Sequence, residues 1–128
     1  MDADVESLLS GVAPPQRAED ARALAALMGC VTGEEPRLWG KMVGFGRYRY
    51  RYASGREGET FRVGFAPRAG SLVLYLPGDD PERERLVAAL GDLKTGAGCV
   101  YVKRLADIDG AALEALVAHV HAHPPDAA

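Results

Sequence analysis

The sequence predicts an α+β fold in which helices pack on one face of an antiparallel sheet. Apolar residues recur at helical spacing near both ends of the chain, and they alternate with polar residues in its middle. Glycine-containing turns separate the alternating segments. The predicted order of elements is therefore ααβββαβα. A chain of 128 residues has the length of one domain, so we expect residues 1–128 to share a single core.

Four segments combine apolar helical periodicity with residues that favour helix ends. The helices are expected over residues 4–9, from residue 15 to residue 29 or 33, over residues 81–90 and over residues 110–121. Asp80 and Pro81 are typical of an N-cap followed by the first helical residue, and Asp107 or Asp109 is expected to cap the fourth helix. Gly29 or Gly33 is suited to end the second helix, and Gly91 the third.

The middle of the chain shows the period-two alternation of strands. The strands are expected over residues 42–52, 59–66 and 71–76, as a three-strand meander, and over residues 99–103, as a fourth strand of the same sheet. Phe61, Val63 and Phe65 are expected to share one face of the second strand. Residues 36–40 are expected to form a loop that carries Trp39, the one tryptophan of the chain.

Positive charge is concentrated in residues 36–68, which hold eight basic and two acidic residues in a chain of net charge −3. In the run RYRYRY, strand geometry places Arg47, Arg49 and Arg51 on one face and the tyrosines on the other. Two interpretations stay open: the arginines are solvated while the tyrosines pack under the helices, or the arginines form an anion-binding face. The acidic remainder of the chain argues against nucleic-acid binding, because attraction to phosphates is then weak.

The composition is that of an ordinary cytoplasmic domain. Apolar residues make up 48% of the chain, and no apolar run approaches the roughly 20 residues that span a membrane. The start, MDADVESLLS, is acidic and unlike a signal peptide, so we expect a cytoplasmic monomer or homodimer without a membrane partner. Cys30 and Cys99 are far apart in sequence, and two buried, reduced thiols are favoured over a disulfide between them, as is usual in a reducing compartment.

The glycine-containing turns carry charged residues that a plain turn does not need. Arg56 and Glu57 lie between two glycines in SGREG, Arg68 ends the run GFAPR, and Lys94 lies in a second glycine-rich loop. We expect these loops and the sheet to bind a small anion or a metabolite with a phosphate or carboxylate group. Arg56, Arg68 and Lys94 would supply the cations. Glu57 would orient them, or form a structural ion pair with Arg56, and Trp39 would form an apolar wall.

An acidic cluster and a cysteine offer two alternatives. The cluster consists of Asp79, Asp80, Glu82 and Glu84. Carboxylates at a helix start stabilise the helix, and the same oxygens are ligands for iron or calcium, so weak metal binding by this cluster is one alternative. The other is an enzyme of unknown reaction with Cys99 as nucleophile, although no histidine is near it in the sequence.

Several short motifs between residues 35 and 121 resemble one family. They are WG, GFG-x-Y-x-Y, SGREG, GF-x-PR, LG-x-x-KTG-x-x-C and L-x-D-I-D. Together they resemble the domain of unknown function 1801 (YdhG-like) family. The resemblance implies a small bacterial cytoplasmic α+β protein, whose architecture in part of the family is similar to that of frataxin-type iron-handling proteins. The alternative function that the resemblance implies is therefore a frataxin-like iron-binding protein, or iron chaperone, with Asp79, Asp80, Glu82 and Glu84 as the iron ligands. The resemblance implies no catalytic residue, because none is established for that family.

Overall fold

In the computed structural model the described residues form four α-helices that pack on one face of an antiparallel sheet, which confirms the predicted α+β class. The structure describes residues 3–51, 55, 57–68, 70–78, 80–96 and 98–123. The helices are α1 (Ala3–Ser10), α2 (Pro15–Thr32), α3 (Pro81–Leu90) and α4 (Gly110–Ala122). The strands are β1 (Pro36–Trp39), β2 (Met42–Phe45), β3 (Tyr48–Arg51), β4 (Glu57–Thr60), β5 (Val63–Pro67), β6 (Leu72–Tyr75), β7 (Thr95–Gly96) and β8 (Cys99–Val102). None of the described helices is long and apolar enough to cross a membrane.

The helix ends follow the local signals of the sequence. The Asp80 carboxylate accepts a hydrogen bond from the backbone N–H of Arg83 (3.1 Å) and so caps α3. In the same way the Asp109 carboxylate accepts from the N–H of Ala112 (3.0 Å) and caps α4. Gly33 ends α2 in the left-handed conformation, with φ at 72°. These ends match the prediction because each depends on residues within one helical turn.

The main sheet contains six strands in the order β1-β2-β5-β6-β8-β7, and neighbouring strands are antiparallel. Strands β3 and β4 form a separate two-stranded sheet. The expectation of a loop before Met42 is wrong, because Pro36–Trp39 pairs with Met42–Phe45 as an edge strand. Pro36 is tolerated there, since the first residue of an edge strand need not donate to the ladder.

The hydrophobic core lies between the helices and one face of the main sheet. Alternate residues of β2, β5, β6 and β8 point into it, as the period-two pattern predicts. The fully buried strand residues on this face are Val43, Phe45, Val63, Phe65, Leu72, Leu74, Val100 and Val102. Each helix contributes apolar residues from a single stripe to this core, so none of the described helices covers the opposite face of the sheet. We refer to that opposite face as the uncovered face.

The first two predicted strands are each divided in two. Between β2 and β3 the chain bends at Gly46, which has φ at 71°. Arg62 occupies the matching break between β4 and β5. Its N–H donates to the Phe45 carbonyl (3.1 Å), and its guanidinium donates to the carbonyls of Arg47 (3.3 Å) and His121 (2.9 Å). A bond to the C-terminal turn of α4 therefore fixes the break.

The uncovered face of the sheet carries a small aromatic cluster. Phe61 lies here over Gly44 and Gly64, so the expectation that it shares the core face with its strand neighbours is wrong. Its ring meets those of Trp39 and Tyr75 edge to face, each with centroids 6.0 Å apart. The two glycines explain the reversal, because the absence of their side chains leaves the space that the Phe61 ring fills.

Candidate functional site

A cleft of about 480 Å³ opens where β8 and the loop before β7 meet the turn between β5 and β6. We refer to it as the Lys94 cleft. Its lining residues are Gly70, Ser71, Asp92, Leu93, Lys94, Tyr101, Lys103 and Asp107. This volume lies in the range of about 300–1,000 Å³ that is typical of small-molecule sites.

The strand pairing of β8 positions the centre of this cleft. Val100 and Val102 are buried in the core, so Tyr101 and Lys103 point to the opposite face of the sheet. The N–H of Tyr101 donates to the Lys94 carbonyl (3.0 Å), which holds the loop against the strand. The Lys94 ammonium lies 5.7 Å from the centre of the Tyr101 ring, close enough for a cation–π interaction.

The charged side chains of the Lys94 cleft form no ion pairs within the described part of the chain. Lys94 and Lys103 are both exposed, and neither forms an ion pair with a residue that the structure describes. Asp92 and Asp107 line the same cleft and are exposed as well. Two cations and two carboxylates thus face one space without pairing to each other. Such an arrangement can hold a ligand that carries both an anionic group and hydrogen-bond donors.

Arg68 and Lys94 line different clefts. Arg68 lies beside the end of α1, at a second cleft of about 430 Å³ that also includes Pro67 and Val12. Its guanidinium donates to the Tyr75 hydroxyl (3.4 Å), so the side chain extends along the uncovered face of the sheet. The turn that follows Arg68 nevertheless supplies Gly70 and Ser71 to the Lys94 cleft.

Trp39 lies in the aromatic cluster and does not line the Lys94 cleft. Its indole N–H is buried and has no hydrogen-bond acceptor among the described residues. The Cδ1 atom of the indole occupies the space above Gly44, where it packs against Phe61. The structure therefore gives Trp39 a packing role on the uncovered face of the sheet.

The turn between β3 and β4 is only partly described. Arg56 lies outside the described residues, and Glu57 is exposed at the start of β4, opposite Arg51. Further along this ribbon, Arg47 and Arg49 are exposed and lie 3.2 and 3.9 Å from the Glu59 carboxylate. Both arginines are thus exposed to solvent, and the carboxylate between them offsets part of their charge.

The described acids of the proposed iron cluster are each bonded to a cation or an imidazole of the protein. Asp79 lies outside the described residues. Asp80 is 2.6 Å from Nε2 of His119, a hydrogen bond that is the main reason for its lowered pKa. Glu82 forms an ion pair with Arg85, which likewise lowers the pKa of the glutamate. Glu84 forms an ion pair with Arg83 (2.7 Å). The described residues contain no group of three or more side chains arranged to hold a metal ion.

Both cysteines are free thiols. Cys30 is exposed on α2, so the expectation that it is buried is wrong. The buried stripe of α2 consists of Ala21, Leu24, Ala25 and Met28, and a residue two positions after Met28 lies on the other side of the helix. Cys99 is half-buried, and its burial raises the pKa of the thiol, an effect that the nearby Arg83 guanidinium partly opposes. A raised pKa disfavours the thiolate, which is the nucleophilic form.

The sequence analysis selected Lys94 but missed the groups that surround it. Tyr101 and Lys103 follow the glycine-rich loop closely in sequence and fold back onto it through the pairing of β7 with β8, whereas Ser71 is distant in sequence and reaches it through the pairing of β6 with β8. One signal was available: the chain has three lysines against twelve arginines, and two of the three line this cleft.

Comparisons of the chain with protein-family models, with curated proteins and with solved structures find no match.

Proposed function

We propose that this protein binds a small metabolite with a carboxylate or phosphate group in the Lys94 cleft. One observation supports the proposal above the others: Lys94 and Lys103 face the same cleft, and neither is paired with a described carboxylate. A lysine ammonium is a compact, strongly hydrated charge with three donors, and it suits an anionic oxygen.

The rest of the lining narrows the class of ligand. Asp92 and Asp107 are acceptors, so they favour a ligand that also carries hydroxyl or ammonium donors. Leu93 and Tyr101 are half-buried and provide an apolar surface for a short carbon skeleton. We infer a small hydroxylated or amphoteric acid, such as an amino-acid or sugar-acid derivative with a phosphate or a second carboxylate.

Phosphoserine is a suitable first probe, because it combines phosphate, carboxylate and ammonium groups in a molecule of the right size. We expect it to shift the backbone amide NMR signals of Ser71, Lys94 and Tyr101 in the ¹⁵N-labelled protein. Replacing either cleft lysine by glutamine should weaken binding by about tenfold or more, since each charge-assisted hydrogen bond contributes about 1.5–3 kcal/mol.

A matched control tests whether the effect is local. Lys41→Gln removes the same charge from the exposed turn between β1 and β2, which does not line the cleft, and should leave phosphoserine binding unchanged. Millimolar phosphoserine and citrate that leave all cleft signals unshifted would refute the proposal. Equal weakening by Lys41→Gln and by Lys94→Gln would show attraction by net charge alone.

A further inference from the structure

We propose a second anion site, at the buried guanidinium of Arg83, that takes inorganic phosphate or another compact oxyanion. It stands on different residues from the Lys94 cleft and does not depend on the function proposed for that cleft. Arg83 is only 5% exposed, and it is the one charged side chain that is buried among the described residues.

Two of the three guanidinium nitrogens of Arg83 have partners. Nε donates to the Leu76 carbonyl (2.7 Å), which ties α3 to the end of β6. Nη1 donates to the Glu84 carboxylate (2.7 Å). Nη2 has no acceptor among the described residues, although a guanidinium is built to bind an oxyanion through two parallel hydrogen bonds.

A cleft of about 280 Å³ lies directly at this guanidinium, and we refer to it as the Arg83 cleft. Besides Arg83 and Glu84, the cleft is lined by Thr95, which carries a hydroxyl group, and by the backbone of Gly78 and Gly98. Gly78 has φ at 138°, and a Cβ there would lie 3.2 Å from Cδ of the arginine, so the glycine lets the loop lie against the side chain. The small volume suits a compact ion better than a metabolite.

The position of Arg83 in α3 is unfavourable for a purely structural cation. It lies in the first turn of the helix, where the macrodipole is positive and disfavours a positive charge. The bonded Glu84 carboxylate offsets this charge, but the Glu84 side chain is itself 59% exposed and therefore free to turn toward solvent. We infer that Glu84 occupies the place of the anion and that phosphate displaces its carboxylate from Nη1.

The two clefts are lined by consecutive residues of the chain. Lys94 faces the larger cleft, whereas Thr95 and Gly96, the next residues, face the Arg83 cleft. Amide signals therefore separate the two sites in one titration: phosphate in the Arg83 cleft shifts Thr95 and Gly96, and a ligand in the larger cleft shifts Ser71 and Tyr101.

The decisive experiment is a titration of the ¹⁵N-labelled protein with inorganic phosphate at constant ionic strength, followed by NMR. Glu84→Gln removes the competing carboxylate and should tighten phosphate binding by about threefold or more, because the guanidinium is then freed. Glu82→Gln is the matched control: it removes the same charge from the same helix turn, but its carboxylate contacts Arg85 rather than Arg83. It should change the affinity much less.

Arg83→Met should abolish the shifts at Thr95 and Gly96. If Arg83→Met does not fold, the comparison of the two glutamine variants decides the matter alone. The proposal is overturned if the two glutamine variants bind phosphate equally, if phosphate shifts only signals of the Lys94 cleft, or if neither the parent nor Glu84→Gln binds it.

Discussion

Gly44 and Phe61 provide a sharp test of how the uncovered sheet face is packed. A Cβ built on Gly44 would lie 2.6 Å from both the Cβ of Phe61 and the Cδ1 of Trp39. Carbon atoms in favourable contact are about 3.5–4.0 Å apart, so the aromatic rings would have to move by about 1 Å. We expect Gly44→Ala to lower the free energy of unfolding by about 1–3 kcal/mol, the usual effect of overpacking.

The clash also predicts coupling between the two positions. Phe61 is 5% exposed, and Phe61→Ala alone should cost about 3–5 kcal/mol. In Gly44→Ala/Phe61→Ala the new methyl group still meets the Cβ of residue 61, but the phenyl ring, whose Cδ2 would lie 2.7 Å away, is gone. Residue 61 and the Trp39 indole can therefore shift into the space that the ring leaves. The double variant should therefore be more stable than the sum of the single effects predicts, by about 0.5–3 kcal/mol. Gly64→Ala should couple less, because its Cβ would also lie 2.5 Å from the rigid Val43 carbonyl oxygen.

Urea unfolding followed by tryptophan fluorescence measures each variant. Gly70→Ala is the control, since nothing lies within 4 Å of a Cβ at that position. It should be neutral or should stabilise by up to about 1 kcal/mol, because alanine restricts the unfolded chain. The reasoning is refuted if Gly44→Ala behaves like Gly70→Ala, or if its effect and that of Phe61→Ala add within about 0.5 kcal/mol.

Two further predictions concern contacts that join distant segments. The Asp20 carboxylate, 14% exposed, accepts from Nε of Arg104 (3.0 Å) and from the N–H of Leu105 (3.1 Å). Asp20→Ala should lower the free energy of unfolding by about 1–3 kcal/mol in urea titrations, and a change near zero would contradict these bonds. Burial, and after it the charge of Arg62, lowers the pKa of His121 below 6.5. As the pH falls through that value, the unfolded state therefore binds more protons than the folded state. Stability should therefore decrease between about pH 7.5 and about pH 5, and an equally steep decrease in His121→Gln would exclude this cause.

The sequence by itself determined the features that depend on short separations along the chain. The caps formed by Asp80 and Asp109 each involve a residue three positions later, and Gly33 ends α2 through its own left-handed conformation. Alternation likewise predicts which residues of β5 and β8 enter the core, with Phe61 as the exception just before β5. Such features follow from local geometry, which is the same in any tertiary setting.

The candidate site was only partly accessible to this reasoning. Lys94 was identified because a charged residue in a glycine-rich loop is unusual in a plain turn. Lys103 and Tyr101 were missed, since in sequence they are two ordinary outward-facing residues of a strand. Arg68 was identified for the same reason as Lys94, but the turn directs it toward Tyr75 and a different cleft.

Tertiary structure decided the strand breaks, the face that Phe61 occupies and the full lining of the cleft, because these features depend on contacts between different segments of the chain. Arg62 divides two strands through a bond to the carbonyl of His121, 59 residues later, and Phe61 leaves the core face because two glycines on neighbouring strands make room for it. Long-range pairing also places β8 beside β6, which brings Ser71 to the cleft that Lys94 and Lys103 line. Local pattern specifies an element and its faces, but only the packing of all elements determines which charged side chains are left facing one cleft without a partner.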